Sequence, residues 1–491
     1  MRMRLAVVLC VALELLCGGA KGQAPAVDTQ LKSDLIRLGG QMVVAGQAYE
    51  YDRHLADDIG GRLTGSENYA KAAEWAEAEF KRMGLEIVHR ESWEIPATWE
   101  PEGVAEARLI APHEQQLHLV SEGWSPSTPK GGVRGNVYYL DEVTTDAVKA
   151  QADKIKDKIV LVDGESLDAG EKKGFGKLFD ALDMLTGVGA KALVLGIGTT
   201  NNAASMVGIT NFDGSLGNIV TGNLGAEDTS LLKRLLERGP VEIEFSFTNR
   251  IREHVKVDNV VADIPGTEKD GEFVLVGGHL DSWATGTGAQ DNGTGAASAM
   301  AVAQAVKAAG LRPRRTMRFV LFGGEEEGLI GSQRYAKAHA SDAAKCVGVF
   351  VTDTGAEPPK GWYVFGRKDE VEALAALKPY LAPLGADGTT DEGRFTFETD
   401  EAPFLVQGVP AFVLWTPVDK YFTLHHKPGD TFDKVNQRDL NVGAAVVGLT
   451  AYAFADWPGE LKHFSAAELE DQLKKIDSLD DYKDLQAHGV I

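Results

Sequence analysis

The chain has 491 residues and carries 72 acidic against 50 basic side chains, a formal net charge of −22. At roughly 150 residues per domain, that length predicts two or three domains. Hydrophobic content of 44% with 25% charged residues excludes wholesale disorder and a coiled coil. The acidic balance excludes nucleic acid as a partner, and no internal apolar run approaches the ~20 residues of a membrane span.

Arg2 and Arg4 precede an apolar run from Leu5 to Leu16 broken only by Glu14, and Ala20 and Gly22 supply small residues at a −3/−1 pair. That pattern predicts a secretory signal over 1–22 and a secreted or periplasmic protein. A lipid anchor on Cys17 is disfavoured because Leu16 is large where a small residue is wanted. Cleavage would leave Cys346 alone, so the mature fold stands without an intrachain disulfide. Export without disulfides fits a bacterial periplasm better than animal secretion.

Residues 31–57 read as a helix, followed by a glycine-rich turn at 60–66. In the next helix Tyr69, Ala72, Ala73, Ala76, Phe80 and Met83 share one face, and Gly84 caps the end. Thr64 with Glu67 predicts a capping box at its start. Strands are expected at 86–95 and 105–110, and 125–132 reads as a linker. Beyond it, strands at 136–140, 158–162, 191–195 and 241–247 mix with helices at 179–186 and 228–238, a compact module over 125–250. Its Gly187-x-Gly189-x-x-Ala192 resembles half a dinucleotide fingerprint, but it follows a helix and precedes a strand, the reverse of the required context. From Val255, apolar runs at 274–277, 317–322, 347–352, 362–365 and 411–414 alternate with helices. That is the pattern of an α/β fold with a mostly parallel central sheet flanked by helices. The charged tail over 458–491 carries a thin stripe of Ala466, Leu469, Leu473 and Ile476, predicting a helix docked on its own domain.

The residues that carry chemistry stand at the ends of those strands. His279 and Asp281 follow the run at 274–277, and Asp291 opens a helix of small residues. Glu325, Glu326 and Glu327 follow 317–322, Asp353 follows 347–352, and His425 and His426 come near the end of the domain. Ligands gather beyond the carboxyl ends of strands in an open parallel sheet, so these groups are expected to converge. Converging carboxylates repel and need a cation. Two histidines with three carboxylates suit Zn²⁺ better than Ca²⁺ or Mg²⁺, which prefer oxygen shells. Two Zn²⁺ about 3.5–4 Å apart, sharing one carboxylate, both activate water and polarise a carbonyl. No Gly-x-Ser-x-Gly elbow occurs, so a serine hydrolase has no support.

Five segments, 277–283, 290–295, 321–332, 399–410 and 421–431, resemble in that order the M28 metallopeptidases, and among them the plasma glutamate carboxypeptidase (carboxypeptidase Q) branch. The resemblance covers most of 30–457. It implies a zinc exopeptidase fold whose peptidase domain comes in two parts, 23–124 and 251–457. Between them it implies a smaller α/β protease-associated domain over 125–250, expected to roof the pocket. It further implies an exported exopeptidase for short peptides or dipeptides, assembled as a homodimer.

Carried onto this chain, the resemblance implies two Zn²⁺, one held by His279 and Asp353, the other by Glu326 and His426, with Asp291 bridging. Glu325 becomes the general base and acid for attack of a metal-held hydroxide on the scissile carbonyl, and Asp281 orients His279 through its other ring nitrogen. A cis peptide is implied at Asp291–Asn292. The family's histidine stands four residues before an acid, here Asp430, which selects His426. His425 then stabilises the oxyanion or merely lines the pocket, and Asp400 either touches substrate or braces a loop. Glu327 is expected to be solvated, and His54, His113 and His339 to be surface residues. The family also holds aminopeptidases acting on longer peptides. Glutaminyl cyclases, with one zinc, and transferrin receptors, with none, share the architecture, but the five filled ligand positions argue against both.

Overall fold

The computed structural model describes residues 27–208, 212–268, 271–391 and 395–491. The expected export signal at 1–22, with Cys17, lies outside them. Among the described residues the strands are β1 (Ile87–Ala111), β2 (Gln115–Gln116), β3 (Leu119–Ser121), β4 (Val133–Tyr139), β5 (Ile159–Asp163), β6 (Ala192–Gly196) and β7 (Thr221–Leu224). They continue as β8 (Glu242–Ile264), β9 (Phe273–His279), β10 (Thr316–Phe322), β11 (Cys346–Val351), β12 (Gly361–Tyr363), β13 (Gly388–Thr390) and β14 (Ala411–Trp415).

Hydrogen bonding orders them β13-β12-β14-β11-β9-β10-β8-β4-β5-β6-β7-β3, with β1 paired along β8. β9, β10, β11 and β14 run parallel, so the carboxyl ends of β9, β10 and β11 face one way. The expected α/β class is therefore observed, flanked by helices. β4 to β7 form a second parallel stretch, the outer lobe. Its apolar runs have their own core on each face.

Two expectations change in length. The strands expected at 86–95 and 105–110 are one strand, β1, because β8 supplies a partner almost throughout and a bulge at 102–106 absorbs the irregularity. The polar residues between the two apolar runs hid this continuity. The helix expected over 31–57 is broken. Its first part, Thr29–Ala45, opens on Asp28, whose carboxylate accepts from Leu31 N at 2.8 Å. It ends at Gly46, and a second short helix, Ala48–Arg53, follows.

Helices Thr294–Ala308 and Gln437–Asp456 are enclosed over most of their length, as their small and apolar residues require. Phe350 stacks on Phe412 at 4.8 Å with Phe454 edge-on to both, locking the second helix onto β11 and β14. Each such buried ring contributes about 1.5–3 kcal/mol. This packing makes the strand ends a rigid platform. Among the described residues no helix is long and apolar enough to cross a membrane. Cys346 is buried, and burial pushes its thiol up to about 12, so it is inert.

Candidate metal centre

β9 ends at His279, and close packing decides where that imidazole stands. Helix Thr294–Ala308 approaches the strand ends so tightly that a Cβ on Gly295 would lie 2.2 Å from Thr352 O. Gly324, at φ +73°, then lets the chain leave β10 in a tight turn carrying Glu325, Glu326 and Glu327. Asp353 follows β11 after Thr352.

His279, Asp291, Glu325, Glu326, Asp353, His425 and His426 converge. Asp291 Oδ1 lies 3.3 Å from His279 Nε2, while its Oδ2 lies 3.4 Å from His426 Nε2 and 3.5 Å from His425 Nε2. Asp353 Oδ1 is 3.5 Å and Glu325 Oε2 3.7 Å from His279 Nε2. Glu326 Oε2 is 3.0 Å from His426 Nε2. One carboxylate thus faces two donor sets. Each of three groups, His279–Glu325–Asp353, His279–Asp291–Glu326 and Asp291–His425–His426, has its donor atoms within 4.8 Å of one another, close enough to share an ion.

The electrostatics of the ion-free cluster are unbalanced. Burial, followed by repulsion from Asp291, holds Glu326 well above the usual carboxylate range. Burial also raises Glu325, against His279 and with Asp353 and Asp400. Burial pushes His426 well below its ordinary value, and His425 beside it, stacked at 3.5 Å, adds to the effect. Neutral imidazole is the form that ligates a metal. His279 Nε2, Asp291 Oδ2 and Glu326 Oε1 are buried without a hydrogen-bond partner, which is the arrangement a cation completes.

The surroundings set these groups in place. His279 Nδ1 lies 3.2 Å from Asp281 O and 3.5 Å from Asp281 Oδ1, so Asp281 stands on the side of the ring away from the cluster. Asp281 Oδ2 accepts from Thr64 Oγ1 at 2.8 Å and Glu326 N at 3.3 Å. Asp430 Oδ1 accepts from Gln290 N at 2.7 Å and Oδ2 from Asp291 N at 3.1 Å, holding the loop before Asp291. The Asp291–Asn292 peptide is cis.

Several expectations need correction. Thr64 does not cap the helix Glu67–Arg82; Ser66 does, accepting from Tyr69 N at 3.1 Å, because Thr64 is committed to Asp281. Glu327 is not solvated but 2% exposed, since the tight turn after β10 drives it inward beside Thr64 and Asp281. For Asp400 neither of the two expected roles is overturned: it is 1% exposed, and Thr396, Phe397, Glu398 and Thr399 beside it line the cavity. Burial pushes its carboxyl up to about 7. His113 is exposed, whereas His54 pairs with Asp58 and His339 with Glu91, both half-buried.

Some positions were not singled out from the sequence. Arg62 is fully buried and donates to Leu280 O, Thr287 O and Gly288 O at 2.7–2.8 Å, tying both loops that flank His279 and Asp291. Its signal was the turn at 60–66, which shows a bend but no destination. Tyr421 is buried with its hydroxyl 3.4 Å from Asp353 Oδ1. Trp283 stands edge-on to His426 at 5.9 Å. A cavity of about 800 Å³ opens over the cluster, walled by the outer lobe and by the C-terminal tail.

Residues 259–450 match the model of peptidase family M28. The chain is 30% identical over 412 residues to carboxypeptidase Q of Mus musculus, covering 84% of this chain and 86% of that one. The chain belongs to peptidase family M28. Among solved structures it is similar to an M28 peptidase precursor from Shewanella amazonensis SB2B, with a TM-score of 0.78 and 27% identity over 89% of this chain and 99% of that one. BSAP, a zinc aminopeptidase from Bacillus subtilis, shares the fold at a TM-score of 0.63 and 20% identity, over 85% of this chain and 98% of that one. The M28 match spans β9, β10, β11 and β14 with the loops that follow them, which is where the acids and imidazoles converge.

Proposed function

We propose that this M28 peptidase is an exported, two-zinc exopeptidase that hydrolyses short peptides. The observation that carries the reading is Asp291, whose two carboxylate oxygens face separate imidazoles at 3.3 and 3.4 Å. His279 and Asp353 would hold one zinc, Glu326 and His426 the other, with Asp291 shared. Bound there, zinc supplies Lewis-acid polarisation of a carbonyl and of water at neutral pH.

Glu325 is the proton carrier in this reading. It sits beside His279 and lines the cavity, so it takes a proton from the attacking water and returns it to the departing nitrogen. Tyr421 and His425 offer hydrogen bonds to the carbonyl oxygen as it gains charge. Asp281 orients His279, and Asp430 steadies Asp291 through the backbone.

The outer lobe, 125–250, is read as an inserted protease-associated domain that roofs the cavity and favours small substrates. Residues 1–22 are read as its export signal, and the assembly as a homodimer, which sedimentation equilibrium measures. The decisive experiment loads the purified chain with zinc, counts metal per chain, and assays dipeptides with each terminus blocked in turn. Two zincs and hydrolysis of a free-termini dipeptide support the reading. Which block abolishes turnover separates carboxypeptidase from aminopeptidase. One zinc with ring closure in place of hydrolysis, or no metal at all, would replace it.

A further inference from the structure

The cavity over the centre has a wall that lies outside the matched family segment. The match to the family model ends at residue 450, and the segment from there to Ile491 folds back over the site. Helix Ala466–Lys475 opens with a capping box between Ser465 and Glu468, and buries Leu469 and Leu473. Gln472 Nε2 donates to Phe365 O at 3.0 Å. The tail is thereby fastened to the catalytic half.

The last helix, Leu479–Ala487, reaches the outer lobe. Asp484 Oδ2 accepts from Gly176 N at 2.7 Å, with Lys177 Nζ 3.6 Å from its Oδ1, and His488 Nε2 lies 3.2 Å from Asp180 Oδ2. The approach is too close for a side chain. A Cβ on Gly176 would stand 2.2 Å from the His488 ring, and one on Gly174 2.6 Å from the Asp484 carboxylate. On the other flank Tyr482 stacks on Phe397 at 5.9 Å. This helix therefore bridges the two halves of the molecule across one side of the cavity.

From this helix Asp481 and Leu485 face the cavity, and Val490 follows just beyond it. Leu485 and Val490 line the cavity together with Phe175, Phe179, Phe212 and Phe397. The first three rings form a cluster with centroids 4.6–5.5 Å apart. A wall of this composition recognises by burial and shape, and favours a side chain that displaces water from it.

We propose that the C-terminal segment 479–491 is a specificity wall of the substrate cavity. Leu485 and Val490 receive a large apolar side chain of a short peptide, and the bridge from Asp484 to the outer lobe closes that side to longer chains. This rests on the peptidase reading above. A misfit of one or a few methylenes in such a pocket changes specificity by about 10–200-fold.

The test uses the full zinc-loaded chain, the variants Leu485→Trp and Leu485→Ala, and a chain ending at Asp477. The substrates are Ala-Ala, Phe-Ala, Ala-Phe and a hexapeptide containing the same residues. Leu485→Trp should lower the better of the two Phe-to-Ala ratios of kcat/KM at least tenfold. The shortened chain should raise hydrolysis of the hexapeptide relative to the dipeptides at least tenfold. Ratios within twofold of the parent in every variant overturn the proposal. Should the shortened chain not fold, the two point variants decide by the same ratios. If the parent hydrolyses no peptide, the peptidase reading falls separately. Calorimetric binding of Phe-Ala against Ala-Ala then decides: a tenfold loss of preference in Leu485→Trp upholds the wall, and an unchanged preference sinks it.

Discussion

Two histidines adjacent in sequence stand in almost the same place, with His425 Nε2 at 3.5 Å and His426 Nε2 at 3.4 Å from Asp291 Oδ2. What separates them is Glu326, whose Oε2 lies 3.0 Å from His426 Nε2. His426→Ala should therefore remove about one zinc per chain, while His425→Ala retains both and loses turnover only; atomic absorption and a dipeptide assay read the two effects. For Glu325, substitution by Gln keeps a polar group of the same shape but no proton acceptor of carboxylate strength. We expect zinc content to stay at the parent value and kcat to fall about 10²–10⁴-fold. At this scale His279, Asp291 and Asp353 were legible as candidates because each stands at or just beyond a strand end or at the opening of a helix. Glu327 and Thr64 were not, because whether a glutamate after a glycine turn points to water or inward depends on partners such as Thr64 that are distant in the chain.

At the scale of elements, the segment after β6 reaches the centre from the outer lobe. Met206 N donates to His426 O at 2.9 Å, so the outer lobe holds the backbone of a candidate ligand. That segment is in turn held by Glu122, beyond the end of β3, which accepts from Val207 N at 2.6 Å, Gly123 N at 3.2 Å and Asn223 Nδ2 at 2.9 Å. Burial pushes the Glu122 carboxyl up to about 7, against these three hydrogen bonds, which lower it. Its unfolded value is about 4.3. The folded chain thus holds the proton more tightly, and the stability from this group is full below about pH 4, declines from there to about pH 7 and is flat above. Glu122→Gln removes that slope, so the urea midpoint of the parent should fall relative to that of the variant between pH 5 and 7, and the two should run parallel above pH 7. The variant should also lose zinc faster to a chelator, through Met206 and His426. An outer lobe acting only as a spacer would leave zinc retention unchanged.

For the whole molecule, burying Asp291, Glu325, Glu326, Glu327 and Asp353 in one region costs stability unless positive charge joins them. Chelation should lower the unfolding temperature by several degrees and readdition of zinc restore it, since ligand at a thousandfold excess over Kd adds about 4 kcal/mol. Calorimetry with and without chelator checks this, and equal transitions would mean that the cluster binds no metal in solution. The sequence by itself determined the parallel α/β sheet and the set of acids and imidazoles at its strand ends. Apolar runs of strand length and ligand types at strand ends are local patterns, readable without knowing what lies opposite. Only the tertiary structure decided that Arg62 and Asp430 tie the loops of the centre, that Tyr421 joins it, that β1 and β8 run beside each other, and that the tail lines one side of the cavity. Those facts arise from partners far apart in the chain, and no periodicity within a segment encodes which distant surface it will meet.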